Sequence, residues 1–236
     1  GVNASTQSIT FTLISADSGD ERIIWHHQEK FDQEKYLSFD ASKGYVVKVN
    51  ESDKQRYVTD PLMVAAALEN SMAALKEFID ANGLDMSNIK AISPGAQQHA
   101  TVYLSKNAGK AFDGPSSKSM REQMRDGRYL AWEYSPIWMD KSTDVQGQSL
   151  IANARFGSNE ELLRQTGSGF QHRFPAGQIA KFRDDMPEKY QNTHRILNMT
   201  AFVGYLLTGN SDFPWDQGDA VPSHLVDIKT RNWLSN

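Results

Sequence analysis

The stretch from Asp60 to Leu104 narrows what this chain can fold into more than any other segment. Asp60 is suited to cap a helix, and Pro61 to fill its first position, where a missing N–H costs nothing. Val64, Leu68, Met72, Leu75 and Ile79 then recur on one helical face, and Asn82-Gly83 supplies the stop. Ile89-Lys90-Ala91-Ile92 reads as a short buried strand, and His99 to Leu104 as a second one beyond a Pro94-Gly95 turn. A helix feeding a strand through a short turn is the syntax of an α/β layer.

The flanks add antiparallel character. Ile9, Phe11 and Leu13 alternate with Thr10 and Thr12, the pattern of a half-buried strand. Gly19 marks a turn, residues 22–27 the returning strand, and 44–49 a third strand. Residues 105–135 form a polar excursion with Gly109 and Gly114-Pro115 and room for one helix, and 136–140 a core-like strand. Ser158 and Glu161 have capping-box spacing, opening a helix through Gln165 that Gly167-Ser168-Gly169 ends. Two more helices are expected at 177–186 and 198–207, before a tail that alternates Leu225, Val226, Ile228 and Trp233. Without internal repeat or linker, residues 1–236 are expected to form one domain.

Composition removes whole classes. The 236 residues, 39% of them apolar, can bury a genuine core. Twenty-five basic against 29 acidic residues give a net charge of −4, so no basic excess points to a nucleic-acid partner. No apolar run approaches the roughly 18 residues of a membrane span. The absence of cysteine excludes disulfides, thiolate metal sites and a cysteine nucleophile. The opening residues lack a signal peptide's charged and apolar regions, so a cytoplasmic location is expected. The sequons at Asn3, Asn50 and Asn198 read as chance occurrences.

Most familiar catalytic motifs are missing. His26 and His27 are neighbours on a strand and point to opposite faces, and His172 and His194 lack a carboxylate at ligand spacing, so no metal site is expected. Gly167-Ser168-Gly169 is not a nucleophile elbow, and neither a Walker loop nor a dinucleotide fingerprint is present. Three runs remain. Gly1 to Ser8 is rich in small and hydroxyl residues, which at a tight turn let backbone N–H groups meet an anion; a plain hairpin turn is the alternative. Gln97-Gln98-His99 follows a Pro-Gly turn where open α/β sheets place ligands, and its mixed donors and acceptors suit a polyhydroxyl substrate or simply a satisfied turn. In Gln171-His172-Arg173-Phe174, Arg173 could anchor an oxygen or stand free in solvent.

Taken in order, these runs resemble the N-terminal domain of the FGGY carbohydrate kinases, especially the xylulokinase branch. Gly1 to Ser8 is similar to the family's first phosphate loop, and Ala91 through Gln97-Gln98-His99 to its sugar-contacting turn. Pro136-Ile137-Trp138-Met139-Asp140 with Ser142-Thr143, then Thr166-Gly167 through Arg173-Phe174 and Gly177 to Lys181, resemble the segments that follow. Asp216 and Asp219, with Asp227 to Trp233, are similar to its closing strands. The resemblance implies a ribonuclease-H-like, actin-like α/β fold, with three antiparallel strands continued by parallel ones and flanking helices. It also implies ATP-dependent phosphorylation of a sugar, D-xylulose to its 5-phosphate, with Mg²⁺ bridging the phosphates. Gln98, His99 and Arg173 would contact the sugar, while Asn3, Thr6 and Gln7 would face ATP.

The chain also departs from the family pattern. Asn3 replaces an aspartate near Mg²⁺ and phosphate, and Ala100 a glycine. Pro175-Ala176 is expected to disturb the loop after Phe174, Val221-Pro222 stands for a Ser-Gly pair, and Val64 takes a place often held by an aromatic. These departures imply an alternative, a catalytically impaired member serving as a sugar-binding or regulatory module. The family's catalytic aspartate and nucleotide-binding C-terminal domain would lie beyond Asn236, so no catalytic base is expected here and the chain alone should not turn over. Its expected partners are the sugar and that second domain, with no nucleic acid or membrane; a homodimer is left open.

Overall fold

The computed structural model describes residues 1–16, 19–39, 41, 43–49, 55–110, 112, 116–152 and 155–234. The sequon at Asn50, Gly114-Pro115 and Asn236 lie outside them. The chain begins with β1 (Val2–Ala4), β2 (Ser8–Ile14), β3 (Ile23–Lys30), β4 (Val46–Val49) and β5 (Gln55–Thr59), followed by α1 (Pro61–Ala81). Then come β6 (Pro94–Ala96), β7 (Thr101–Ser105), α2 (Met120–Asp126), β8 (Ser135–Pro136), α3 (Asp144–Ala152) and α4 (Asn159–Thr166). The last elements are α5 (Pro175–Asp185), α6 (Pro187–Gln191), β9 (Thr193–Asn198), α7 (Met199–Thr208) and α8 (Gln217–Ala220).

The site rests on a mixed sheet ordered β3-β2-β1-β6. The first three strands are antiparallel, with Asn3 opposite Thr10 and Thr10 opposite Gln28, and β6 runs parallel to β1 with Gly95 opposite Asn3. Three antiparallel strands continued in parallel are thus present, but the third is β1 and not the segment expected at 44–49. β4 instead pairs with nearby β5, which meets β8, forming a second small sheet. Pairing two strands so close in sequence closes a short loop at small entropic cost. β7 and β9 form an antiparallel pair of their own.

The sequence pattern explains the layer beneath the sheet. Asp60 Oδ1 accepts from the Leu62 N–H at 2.8 Å, and Val64, Leu68, Leu75 and Ile79 are buried along α1. Ile9 and Phe11 of β2 are buried too, while Trp25 of β3 lies 5.8 Å from the Phe78 ring of α1. Asn198 caps α7 through the Ala201 N–H, and Gly167 closes α4 at φ 83°.

Four expectations change. Residues 89–92 form no strand: only Ile89 is partly buried, Ile92 is 45% exposed, and the stretch lines an open pocket with Met72 and Leu75 of α1. The strand starts instead at Pro94, a first position where the missing N–H removes no essential ladder bond. The strand expected at 136–140 stops after Pro136, and the Asp140 N–H bonds back to the Ile137 carbonyl in a turn. Among the described residues of the tail only Val226 and Trp233 bridge, around a turn whose N–H groups at Lys229 and Thr230 donate to Asp227 Oδ1. Pro175-Ala176 does not disturb a loop but opens α5, with Pro175 at the tolerant first position.

Candidate functional site

The turn between β1 and β2 sits at one end of the mixed sheet. Ser5 closes it, its N–H and its hydroxyl both donating to the Ser8 carbonyl at 2.9 Å. The backbone N–H groups of Thr6 and Gln7 have no partner among the described residues. Gly44 presses against this turn at φ 78°, where a Cβ would fall 2.3 Å from the Thr6 carbonyl oxygen. Only glycine permits that approach.

Across from it, β6 runs into Gln97-Gln98-His99. His99 adopts φ 67°, a left-handed conformation uncommon outside glycine, asparagine and aspartate although histidine is enriched there. Its ring stacks 4.6 Å from Phe174, which lies 4.6 Å from the buried ring of His224. Burial, followed by the charge of Arg173, pushes the His99 pKa down to about 4, while the Pro222 carbonyl pulls weakly the other way. His99 is therefore a neutral imidazole at pH 7, with one donor and one acceptor.

These elements converge on one cleft of about 480 Å³, lined by Asn3, Ser5, Thr6, Gln97, Gln98, His99, Trp138 and Arg173. The Trp138 indole N–H donates to Thr6 Oγ1 at 3.0 Å, and Thr6 Oγ1 donates to Gln97 Oε1 at 3.2 Å. One relay thus ties the β1–β2 turn, the β6 turn and the 137–140 turn. Amide, imidazole and guanidinium groups beside an aromatic ring match a ligand carrying several hydroxyls and one apolar face. Of the residues singled out in the sequence, Asn3, Thr6, Gln98, His99 and Arg173 meet here. Gln7 does not, and lines a neighbouring pocket instead.

A buried polar network supports the cleft from below. Arg56 donates from Nε to Asp140 Oδ2 at 3.3 Å and from a terminal nitrogen to Gln178 Oε1 at 3.2 Å. Gln178 Nε2 donates to the carbonyls of Asp140 and His172, and Thr143 Oγ1 donates to the same His172 carbonyl at 2.7 Å. Asp140 Oδ1 accepts from the Ser142 N–H and hydroxyl. The network therefore holds Asp140, two residues from Trp138, against His172, the neighbour of Arg173.

Three contributors escaped the sequence reading. Trp138 appeared only as part of a strand, although the Pro136-to-Thr143 run was noticed. His224 gave no signal, yet its Nε2 lies 3.1 Å from both Ser168 Oγ and the Gly169 carbonyl, and burial pushes its pKa down to about 4. Since a carbonyl only accepts, Nε2 carries the proton. Arg56 lies in a weakly patterned strand. Val64 is core and cannot meet a ligand, so the ring at the cleft comes from Trp138; Ala100 is also buried.

The turn's hydroxyls and free N–H groups fit the phosphates of ATP. Among the described residues no Mg²⁺ site is built: none of those lining the cleft is a carboxylate, Asn3 offers an amide oxygen, and no three His, Asp or Glu cluster. No described helix is long and apolar enough to cross a membrane.

Several solved structures share this fold. Over 99% of the chain, the xylulose kinase of Rhodospirillum rubrum aligns with a TM-score of 0.67 at 13% identity, across 39% of its own length. A Plasmodium falciparum glycerol kinase with ADP gives 0.66 at 18%, across 38%. The fold is therefore that of the N-terminal portion of these sugar kinases, an actin-like, ribonuclease-H-like architecture. In sequence the chain is similar to D-xylulose kinases: D-xylulose kinase A of Aspergillus niger is 32% identical over 235 residues, and a probable D-xylulose kinase A of Aspergillus fumigatus is 32% identical over 237. Each alignment covers 97% of this chain, which spans only 38% and 37% of those relatives. No protein-family profile matches the chain.

Proposed function

We propose that residues 1–236 are the sugar-binding domain of a cytoplasmic, ATP-dependent carbohydrate kinase that converts D-xylulose to D-xylulose 5-phosphate. The observation that carries this reading is the meeting of Gln98, His99, Arg173, Trp138 and Thr6 in one cleft of a chain aligned over 97% of its length with D-xylulose kinases. Gln98 and His99 pair with sugar hydroxyls, Arg173 with a hydroxyl or carbonyl oxygen, and Trp138 covers the carbon skeleton. Asn3, Thr6 and Gln7 face the phosphates of ATP. Phosphoryl transfer depends on positioning and charge neutralisation, plus a carboxylate that takes the hydroxyl proton. No such carboxylate lines this cleft among the described residues. The base and the nucleotide platform therefore come from a second, C-terminal domain, and this chain alone binds sugar without turning it over.

Calorimetric titration of D-xylulose, xylitol and glycerol into the chain tests the reading. Binding selective for D-xylulose supports it; equal heats for all three, or none at millimolar sugar, count against it. Asn3 and the absence of a cleft carboxylate favour a second reading, a family member that binds sugar without transferring phosphate. Asn3→Asp should then raise Mg²⁺-dependent ADP affinity; an unchanged affinity removes that reading.

A further inference from the structure

His224 does not line the cleft, yet three of its features are unusual for a buried side chain. It is 1% exposed, it adopts φ 62°, a left-handed conformation that most side chains avoid, and its Nδ1 has no hydrogen-bond partner among the described residues. A leucine or phenylalanine would fill the same space without burying an unpaired acceptor, which costs folding stability. The other ring nitrogen is engaged, since Nε2 lies 3.1 Å from both the Gly169 carbonyl and Ser168 Oγ.

These contacts place His224 between two segments that carry cleft residues. Ser168 and Gly169 open the stretch that ends at Arg173 and Phe174, where the Phe174 N–H closes a turn onto the Gln171 carbonyl at 3.0 Å. The His224 ring stands 4.6 Å from the Phe174 ring, and His99 stacks on that same ring at 4.6 Å, 29° from parallel. Phe174 is buried and close-packed, so it has little room to turn independently of either neighbour. His224 is itself tied to the body of the fold. It follows α8 and the tight 221–223 turn, and Asp219 of α8 accepts from Asn198 Nδ2, the cap of α7, at 2.9 Å. A continuous run of contacts thus leads from the α7 cap through His224 to His99 and to the loop bearing Arg173.

We propose that His224 is a positioning residue: through Phe174 and the Ser168–Gly169 backbone it fixes the His99 ring and its spacing from Arg173. This role rests on the sugar-kinase reading for what those two groups meet. A neutral imidazole offers one donor and one acceptor, whereas a guanidinium only donates. D-xylulose and xylitol differ at one carbon, a carbonyl in the first and a hydroxyl in the second, and a fixed spacing between His99 and Arg173 is what tells them apart. Loosening that spacing costs selectivity. Mere loss of packing does not, because a smaller folded population weakens both ligands by one factor, which cancels in the ratio of their affinities.

The test compares the chain with His224→Asn, which suits the left-handed backbone but removes the ring, and with Ile79→Val, a destabilising control in the buried face of α1. Calorimetry gives the ratio of D-xylulose to xylitol affinity, and NMR follows the His99 ring signals of the ligand-free chain at pH 7. His224→Asn should narrow the ratio about fivefold and shift the His99 signals, whereas Ile79→Val should leave both unchanged. An unchanged ratio in His224→Asn, unmoved His99 signals, or an equal narrowing in Ile79→Val overturns the positioning role. If His224→Asn does not fold, His224→Phe, which keeps a ring but loses the contacts to Ser168 and Gly169, is read in the same way. A wild-type chain that binds neither compound, or both equally, removes the kinase reading, and the His99 signals alone then decide whether His224 positions that ring. A wild type that prefers D-xylulose, with the same preference in the variant, does the reverse: the kinase reading stands and the role of His224 falls.

Discussion

The two walls of the cleft are built in opposite ways. On one side His99, Phe174 and His224 form a stack of rings, underpinned by the buried Arg56–Asp140–Gln178 network. On the other, Ser5 to Gln7 form a short turn in which the Thr6 and Gln7 N–H groups have no partner among the described residues, flanked by the exposed lysines Lys30 and Lys43. The first wall is fixed before a ligand arrives, as discrimination between sugars differing by one hydroxyl requires. The second keeps its donors solvated and its charge accessible, which suits an anion that must enter and leave. On the proposed reading, rigidity is concentrated on the wall that meets the sugar.

The largest effect should come from breaking the support of the first wall. Asp140→Ala leaves the buried Arg56 charge with only the more distant, half-exposed Asp185 carboxylate at 3.9 Å and should cost about 3 kcal/mol of folding stability by denaturant unfolding. Ser5→Ala in the opposite turn should cost about 1 kcal/mol or less. Similar losses at both places would erase the contrast.

Next come the ligand-facing groups. Arg173→Ala and His99→Asn should each weaken D-xylulose binding by about 1–3 kcal/mol in calorimetry, since each leaves a sugar hydroxyl or carbonyl unpaired. Asparagine is chosen because it tolerates the φ of 67° that alanine would strain. Both substitutions should leave phosphate binding unaltered, which sharpens the division between the walls.

Acidification should loosen the same wall. His99 and His224 fall from the ordinary imidazole value of 6.5 to about 4 in the folded chain. Between those values the unfolded state binds more protons, so their contribution is fully present above pH 6.5 and is lost as pH falls toward 4. Asp60, held up to about 6 by burial, works in the opposite sense over much of the same range. Two histidines against one carboxyl leave a net loss, visible as a falling melting temperature from pH 6.5 to 4. A flat profile that persists in His224→Asn would contradict the pKa assignments.

The smallest effect belongs to the relay between the walls. Trp138→Phe keeps an aromatic face but removes the donor to Thr6. Sugar affinity should fall by about 1 kcal/mol or less, with the melting temperature nearly unchanged.

How much of this was readable beforehand depended on locality. The cap at Asp60, the apolar face of α1 and the inward alternation of β2 are short-range patterns, and they appear as expected. The run 89–92 misled because three apolar residues in four look like a buried strand, whereas Ala91 and Ile92 are exposed. Gln98, His99 and Arg173 were visible as polar residues beside glycine or proline breaks. Arg56 and His224 were not, because their partners at Asp140, Gln178 and Ser168 are 84, 122 and 56 residues away. Such pairings carry no periodic signal, and Trp138 acquired its place only once Thr6 was folded beside it.

The most direct test of the account is an amide and indole NMR titration of the chain with D-xylulose at pH 7. The predicted result is perturbation of Gln97–His99, residues 171–174 and the Trp138 indole N–H, with Lys30 and Lys43 unmoved. Perturbations centred on those lysines, or spread over a surface away from His99 and Trp138, would contradict it.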